Sequence, residues 1–431
     1  MEIASNYEIA AANLAIALQT DTVSAEQRSE LHAAIGSSID KLVDALNMVI
    51  VCYNKRMICV AALVLALCQI ALPASAVELD VAGKSAVLMD VATGTILYES
   101  NSHERLAPAS VTKVMTMLLI MEAVDSGKIA LTDTVTASET AAAKGGSQIY
   151  LKAGETMPVS DMLKSIAVSS ANDCATALAE AVAGSESGFV EKMNQRAKEL
   201  GMEHTTFHNA CGLDTEGHLS TARDVAVMSC QILNTCPEVL HYTGIWTDTL
   251  RGGATQLVNT NKLLHRYNGI TGLKTGTTGG AGVCISASAA RDGLRLVAVI
   301  LGAPSSKDRF EAAAALLDYG FGGWQAAPLP APEVQPLQLK VKGSAEDSVP
   351  LDYSALPQTV LLPREGTAAL TAQASLPQQL EAPVEKGQTV GTVQVYHGET
   401  LLGEYEVKAA ADAPRMDFGT AFSLLWGSLT G

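Results

Sequence analysis

The apolar positions divide the chain into stretches of different period. Residues 58–72 (ICVAALVLALCQIAL) form an almost unbroken apolar run. Before it, Ile9, Leu14, Ile16 and Leu18 are loosely helical in spacing. Leu31, Ile35, Ile39, Leu42, Val43 and Leu46 are clearly helical. After it, residues 85–99 (SAVLMDVATGTILYE) predict two strands around an Ala92-Thr93-Gly94 turn. Residues 108–124 are apolar on every side of a helix, which predicts burial all round. Helical patterns dominate from there to residue 240 or so. Residues 283–301 switch to strands, VCISASAA and LRLVAVIL, hinged at Arg291-Asp292-Gly293. A closing helix is expected over 306–319, before Gly320-Phe321-Gly322-Gly323. That order predicts one α/β (α+β) unit whose antiparallel sheet mixes strands from both ends of the segment.

Residues 325–336 (QAAPLPAPEVQP) have the Pro/Ala composition of a linker. Short alternating strands follow over 337–409, at Leu337/Leu339/Val341, Val390/Thr392/Val393/Val395 and Leu401/Tyr405/Val407, with turns such as His397-Gly398 between them. They predict a small all-β module. From Met416, Phe418, Phe422, Leu425 and Leu429 recur at helical spacing beside Trp426, and peripheral membrane contact through residues 416–430 is expected. A helix docked on the protein is the alternative.

The run at 58–72 changes how the composition is read. Lys55 and Arg56 precede it and Pro73-Ala74-Ser75-Ala76 follows, the three parts of a secretory signal peptide. Its fifteen residues fall short of the roughly 20 needed to span a bilayer, so cleavage after Ala76 and an exported, extracytoplasmic protein are expected. The seven acidic and two basic residues of 1–50 have the wrong sign for the start of a signal. Translation is therefore expected to begin at Met57 or Met48. Of 431 residues and a net charge of −16, the exported part keeps −13 and five cysteines, at 174, 211, 230, 236 and 284. An acidic surface disfavours nucleic acid. No Cys/His spacing supports a metal or cofactor, and buried thiols are expected over any particular disulfide.

Three short motifs carry chemistry: Ser110-Val111-Thr112-Lys113, Ser170-Ala171-Asn172 and Lys274-Thr275-Gly276, spaced by 60 and 104 residues. A serine hydroxyl needs a base to become nucleophilic. On a helix, residues i and i+3 share a face, so Lys113 reaches Ser110. A lysine acts as a base only when neutral, and burial or a second cation, here Lys274, depresses its pKa. Pro108-Ala109 suits a helix start. That would place Ser110 at the positive end of the helix dipole, its N–H free for an oxyanion. Lys-Thr-Gly is expected just before a strand, in the glycine-dense GLKTGTTGGAG. Ser38-Ile39-Asp40-Lys41 matches the first pattern too and reads as an exposed helix face. His204, His208 and His218 have no ligand spacing; His218 is expected to order the loop before Ser220, and Cys174 to pack.

This ordered set resembles the penicillin-binding proteins and class A β-lactamases. PASVTKVMT (108–116), SSANDCATALAE (169–180), HLSTARD (218–224), NTNKLL (259–264), GLKTGTTGGAG (272–282) and LLDYGFGG (316–323) resemble the serine D-alanyl-D-alanine carboxypeptidases in particular. The resemblance implies a catalytic domain at 77–324, a linker at 325–336, a β-rich domain at 337–410 and an amphipathic tail at 411–431, behind an extension at 1–56 and a signal at 57–76. It implies that Ser110 attacks the D-Ala-D-Ala carbonyl of peptidoglycan stem peptides, with Lys113 as acylation base. Ser170 would pass a proton to the leaving D-alanine and Asn172 would hold the substrate amide. Lys274 would tune the electrostatics. Thr275 and Thr277, flanking Gly276, and also Arg309, would bind the terminal carboxylate. The N–H groups of Ser110 and Thr277 would form the oxyanion hole, and β-lactams would acylate the same serine.

Three other activities share the triplets. A class A-like β-lactamase needs a Glu-x-x-x-Asn base, but Phe207 stands four residues after Glu203 and Ser220 four after Glu216. A D,D-endopeptidase would use the same residues on crosslinks. A non-catalytic penicillin sensor would need a spanning helix.

Overall fold

The computed structural model describes residues 79, 81–332, 335–365 and 368–419, together with Ser37 and Lys41. The expected signal peptide, nearly all of the N-terminal extension including Ser38, and the tail beyond Gly419 lie outside the described residues.

A five-stranded antiparallel sheet organises the catalytic unit. Its strands are β1 (Ser85–Asp90), β2 (Ile96–Ser100), β3 (Ile270–Thr278), β4 (Gly282–Arg291) and β5 (Leu294–Ala303), in the order β2-β1-β5-β4-β3. The N-terminal hairpin therefore docks on the C-terminal one, with Ser85 opposite Leu301 and Asp90 opposite Leu296. Side chains alternate across a strand, and both faces here are covered. Val87, Met89, Val297, Val299 and Leu301 face the helical core. Ala86, Leu88, Leu296, Ala298 and Ile300 face the closing helix.

Between the hairpins lie α1 (Lys113–Asp125), α2 (Val159–Ser169), α3 (Asn172–Ala183), α4 (Glu186–Glu199) and α5 (Ala222–Thr235). Two small hairpins flank them, Thr134–Thr136 with Thr156–Pro158 and Thr247–Leu250 with Thr255–Val258. As its pattern predicts, α1 is buried on nearly all sides, Val114, Met115, Met117, Leu118, Ile120 and Met121 among its buried residues.

Three expectations change in detail. The helix expected from Pro108 begins as a single 3-10 turn, Ala109–Thr112, with Ala109 left-handed at φ 48°. The Lys-Thr-Gly segment lies inside β3 instead of before a strand. The closing helix, α6 (Ser306–Gly323), runs through the glycines that were expected to end it. A Cβ on Gly320 would come within 2.5 Å of Leu296 and 2.8 Å of Leu88. That glycine lets the helix lie close on the sheet.

The stretch expected as a linker starts as a strand, Trp324–Pro328, paired with Thr359–Pro363. Beyond it, six short strands form one sheet centred on the hairpin Thr389–His397 and Thr400–Ala409. Val360, Leu362, Ala372, Val393, Val395 and Val407 make its core. This is the all-β C-terminal domain that the alternation predicts. Among the described residues no helix is long and apolar enough to cross a membrane. All five cysteines here are buried and free, and burial pushes the Cys230 thiol up to about 12.

Candidate active site

Ser110 sits in the 3-10 turn at the foot of α1, where the chain enters the helical core. One turn on, Lys113 is completely buried. Its Nζ donates to Ser110 Oγ at 2.9 Å and to the peptide oxygen of Cys211 at 2.7 Å. Burial brings its pKa down to about 8, against the raising influence of Cys211 and Asp173. About a tenth of the amine is then unprotonated at pH 7 and half at pH 8, the form a general base requires.

The wall opposite is built where α2 ends and α3 begins. Ser170 closes α2 in the left-handed region, φ 59°. Its Oγ is buried without a hydrogen-bond partner. Asn172 opens α3. Its Nδ2 donates to Gly145 O at 2.8 Å, and its N–H donates to Ser147 O at 2.7 Å. Its Oδ1 is buried without a partner. Buried polar groups are normally satisfied, so a free hydroxyl and a free acceptor two residues apart mark a surface shaped for another molecule.

Strand β3 brings the third motif against the serine. A Cβ on Gly276 would stand 2.9 Å from Ser110 N and 3.0 Å from Pro108 O. Lys274 is buried to 1% exposure, and its Nζ donates to Thr275 O at 2.9 Å. Burial pushes its pKa well below the lysine range, and repulsion from Lys113 and Arg309 adds to this. Thr275 shares a 2.6 Å hydroxyl contact with Thr260. Arg309, from α6, does not stand free. Its Nη1 donates to Gly276 O at 3.0 Å, Thr277 Oγ1 at 3.2 Å and Cys284 O at 3.2 Å, bracing the end of β3. Its Nε is buried without a partner, and burial brings its pKa down to about 10. Lys113 and Gly276 thus stand against Ser110, Thr275 and Thr277 flank Gly276 on β3, and Arg309 braces that strand, while Ser170 and Asn172 stand at the junction of α2 and α3, the latter helix packed on α1.

Other residues complete the site. Asn209 Oδ1 accepts the N–H groups of Cys211, Gly212 and Leu213, and so shapes the turn that presents the Cys211 oxygen to Lys113. A backbone carbonyl cannot be read from side-chain identity. Asp173, inside the SSAND segment, accepts from the N–H groups of Ile149, Leu151 and Cys174 and pins the loop behind Asn172. A carboxylate in the first turn of a helix is the signal that could have found it. His218 does order its loop: Nδ1 accepts from His208 N–H at 3.1 Å, which leaves Nε2–H to donate to Thr112 Oγ1 at 2.9 Å. Burial and the neighbouring His208 hold it neutral, its pKa down to about 4. Cys174 is buried, its thiol raised well above the usual range by burial. Among the described residues no group of three His, Cys, Asp or Glu could hold a metal ion.

Known proteins resemble the chain along most of its length. Residues 72–305 match the model of the D-alanyl-D-alanine carboxypeptidase family, and residues 333–415 that of the C-terminal domain of penicillin-binding protein 5. The chain is 42% identical to the D-alanyl-D-alanine carboxypeptidase DacF of Bacillus subtilis, over 82% of this chain and 91% of that one. Its fold is similar to the crystal structure of penicillin-binding protein 5 from Haemophilus influenzae, with a TM-score of 0.68, 29% identity, and 78% and 98% of the two chains covered. It is also similar to ampicillin-bound penicillin-binding protein D2 from Listeria monocytogenes, with a TM-score of 0.50, 34% identity, and 57% and 99% covered.

Proposed function

The chain belongs to the D-alanyl-D-alanine carboxypeptidase family, and from that premise we propose that Ser110 is its nucleophile and Lys113 the base that activates it. The enzyme is a serine hydrolase that removes the terminal D-alanine from peptidoglycan stem peptides. The observation that carries the assignment is the completely buried amine of Lys113, 2.9 Å from Ser110 Oγ, with its pKa down to about 8.

In this mechanism neutral Lys113 takes the Ser110 proton as Oγ attacks the penultimate D-alanine carbonyl. The developing oxyanion is held by the N–H groups of Ser110 and Thr277, donors fixed before the reaction begins. Asn172 has spent its Nδ2 on Gly145, so its free Oδ1 accepts the N–H of the substrate amide. The unpartnered Ser170 hydroxyl relays a proton to the departing D-alanine nitrogen. Thr275 and Thr277 receive the terminal carboxylate, with Arg309 acting largely by holding β3 in place. Lys274 tunes the electrostatics of the same pocket, its own charge opposed by burial and by Lys113 and Arg309. Water then cleaves the acyl-serine. A β-lactam carries a strained amide into the same geometry and acylates the same oxygen.

Export through residues 57–76 and membrane contact through 416–430 are part of the same proposal. They would put the enzyme on the extracytoplasmic face, where its substrate lies.

Release of D-alanine from diacetyl-Lys-D-Ala-D-Ala, followed by stopped flow, tests the activity. Turnover with a burst of covalent adduct on Ser110 is expected. Penicillin labelling without turnover would support a sensor instead, and turnover confined to crosslinked dimers an endopeptidase.

A further inference from the structure

A groove of about 700 Å³ opens along the loop behind Asn172, lined by Ile149, Tyr150, Lys152, Glu155, Arg251 and Thr255 among others. The mechanism above does not use it. Two of these non-glycine residues hold left-handed backbones, Tyr150 at φ 59° and Arg251 at φ 54°. For a bulky aromatic this is an outlier that the surroundings must enforce. They do so from both sides. The Asp173 carboxylate accepts from the N–H groups of Ile149 and Leu151, the two neighbours of Tyr150. Arg251 Nη1 donates to Ile149 O at 2.9 Å. The backbone is pinned while the Tyr150 side chain stays 76% exposed. Burial does not explain the strain; holding an aromatic ring out over a groove does.

Position and charge narrow the ligand. Ser147 accepts the Asn172 N–H, and three residues of chain reach at most about 11 Å. Tyr150 thus lies within reach of the amide-binding wall, on a loop tied to it through Asp173. An extended pentapeptide is about 17 Å long, long enough for a peptide held at Asn172 to bring its glycan-bearing end to Tyr150. Arg251 Nε is paired with Glu155 Oε1 at 2.7 Å, so the groove does not offer that guanidinium to an anion. An exposed ring beside the paired Arg251 and Glu155 suits a ligand with one apolar face, and the Lys152 ammonium in the same lining can donate to its hydroxyl and carbonyl oxygens.

The geometry points to a subsite for the amino-sugar portion of the glycan, with Tyr150 as its stacking platform. This rests on the carboxypeptidase function and extends it: the enzyme prefers stem peptides still attached to sugar.

The test compares D-alanine release from a disaccharide pentapeptide and from the free pentapeptide. The unaltered enzyme should favour the sugar-linked substrate in kcat/KM by about tenfold, an effect carried mainly by KM. Tyr150→Ala should abolish that ratio, and Tyr150→Phe should keep most of it. Penicillin acylation by each variant reports whether the catalytic centre is intact. Equal losses on both substrates would make Tyr150 part of the general peptide wall and overturn the sugar subsite, as would an unchanged ratio in Tyr150→Ala. If the unaltered enzyme releases D-alanine from neither substrate, the carboxypeptidase function fails, and the subsite with it.

Discussion

Gly276 packs against the backbone of Ser110: a Cβ built on Gly276 would stand 2.9 Å from the Ser110 nitrogen, the same distance from the Ala109 Cβ, and 3.0 Å from Pro108 O. Contacts this short to backbone atoms cannot be relieved by rotating a side chain. Gly276→Ala should therefore push β3 away from the serine, at a cost of about 1–3 kcal/mol. The acylation rate with labelled penicillin is expected to fall at least tenfold while the protein still unfolds cooperatively. Acylation at the unaltered rate would show that this contact is not needed.

Removing the proposed nucleophile separates binding from chemistry. Ser110→Ala should lose both the covalent penicillin adduct and D-alanine release, measured by mass spectrometry and a coupled D-alanine assay. An adduct that persists would mean that another side chain is acylated.

The state of Lys113 sets a pH dependence. The amine is active when neutral, and its pKa lies near 8. The acylation rate should rise about tenfold per pH unit below that value and level off above it. Lys113→Ala should lower acylation by about 10²–10⁴-fold and flatten this limb. Rate measurements from pH 5.5 to 9.5 check both, and a limb that survives in the variant would remove Lys113 from the role.

His218 links acidity to stability. Its folded pKa, near 4, lies below the unfolded value of 6.5. The unfolded state therefore binds the proton first, and stability declines as pH falls from 6.5 toward 4. The loss attributable to this residue should be about 3 kcal/mol. In urea unfolding, the stability of His218→Gln relative to the parent should rise by about 3 kcal/mol between pH 7 and pH 4, because the variant has no imidazole to protonate. A constant gap would assign the acid sensitivity elsewhere.

The tail prediction needs a cut placed with care. Ala413 bridges Val384, and Arg415 bridges Ser344, so truncation from residue 411 would damage the β domain. Removing residues 420–431 leaves those bridges in place. If the tail contacts membrane, fractionation should move the enzyme to the soluble pool, and an unchanged distribution would favour a docked helix.

Much of the site was legible because it is local. Lys113 and Ser110 are three residues apart, so one helical turn brings them together whatever the rest of the chain does. The hairpins at 85–99 and 283–301 were legible for a similar reason: alternation and a turn specify each without reference to its partner. The Pro/Ala-rich stretch misled in part, because Trp324–Pro328 becomes a strand only when Thr359–Pro363 lies beside it. Gly320 misled because its close packing on Leu88 and Leu296 outweighs its low helix propensity, while Gly322 and Gly323, with open space around them, simply make the last turn of the same helix.

What the sequence determined by itself was the three motifs, their order, and the two kinds of domain, since these follow from residue identity and short-range period. The tertiary structure alone decided what those groups are able to do. Burial is a property of everything packed around a residue, and it is burial that deprives Lys113 of the water its charge would need. The oxygen that aims its amine belongs to Cys211, 98 residues away. Hydrogen bonds to backbone carbonyls, and the pinning of Tyr150 by Asp173 and Arg251, arise only when distant segments meet, because their geometry does not exist in any short stretch of chain.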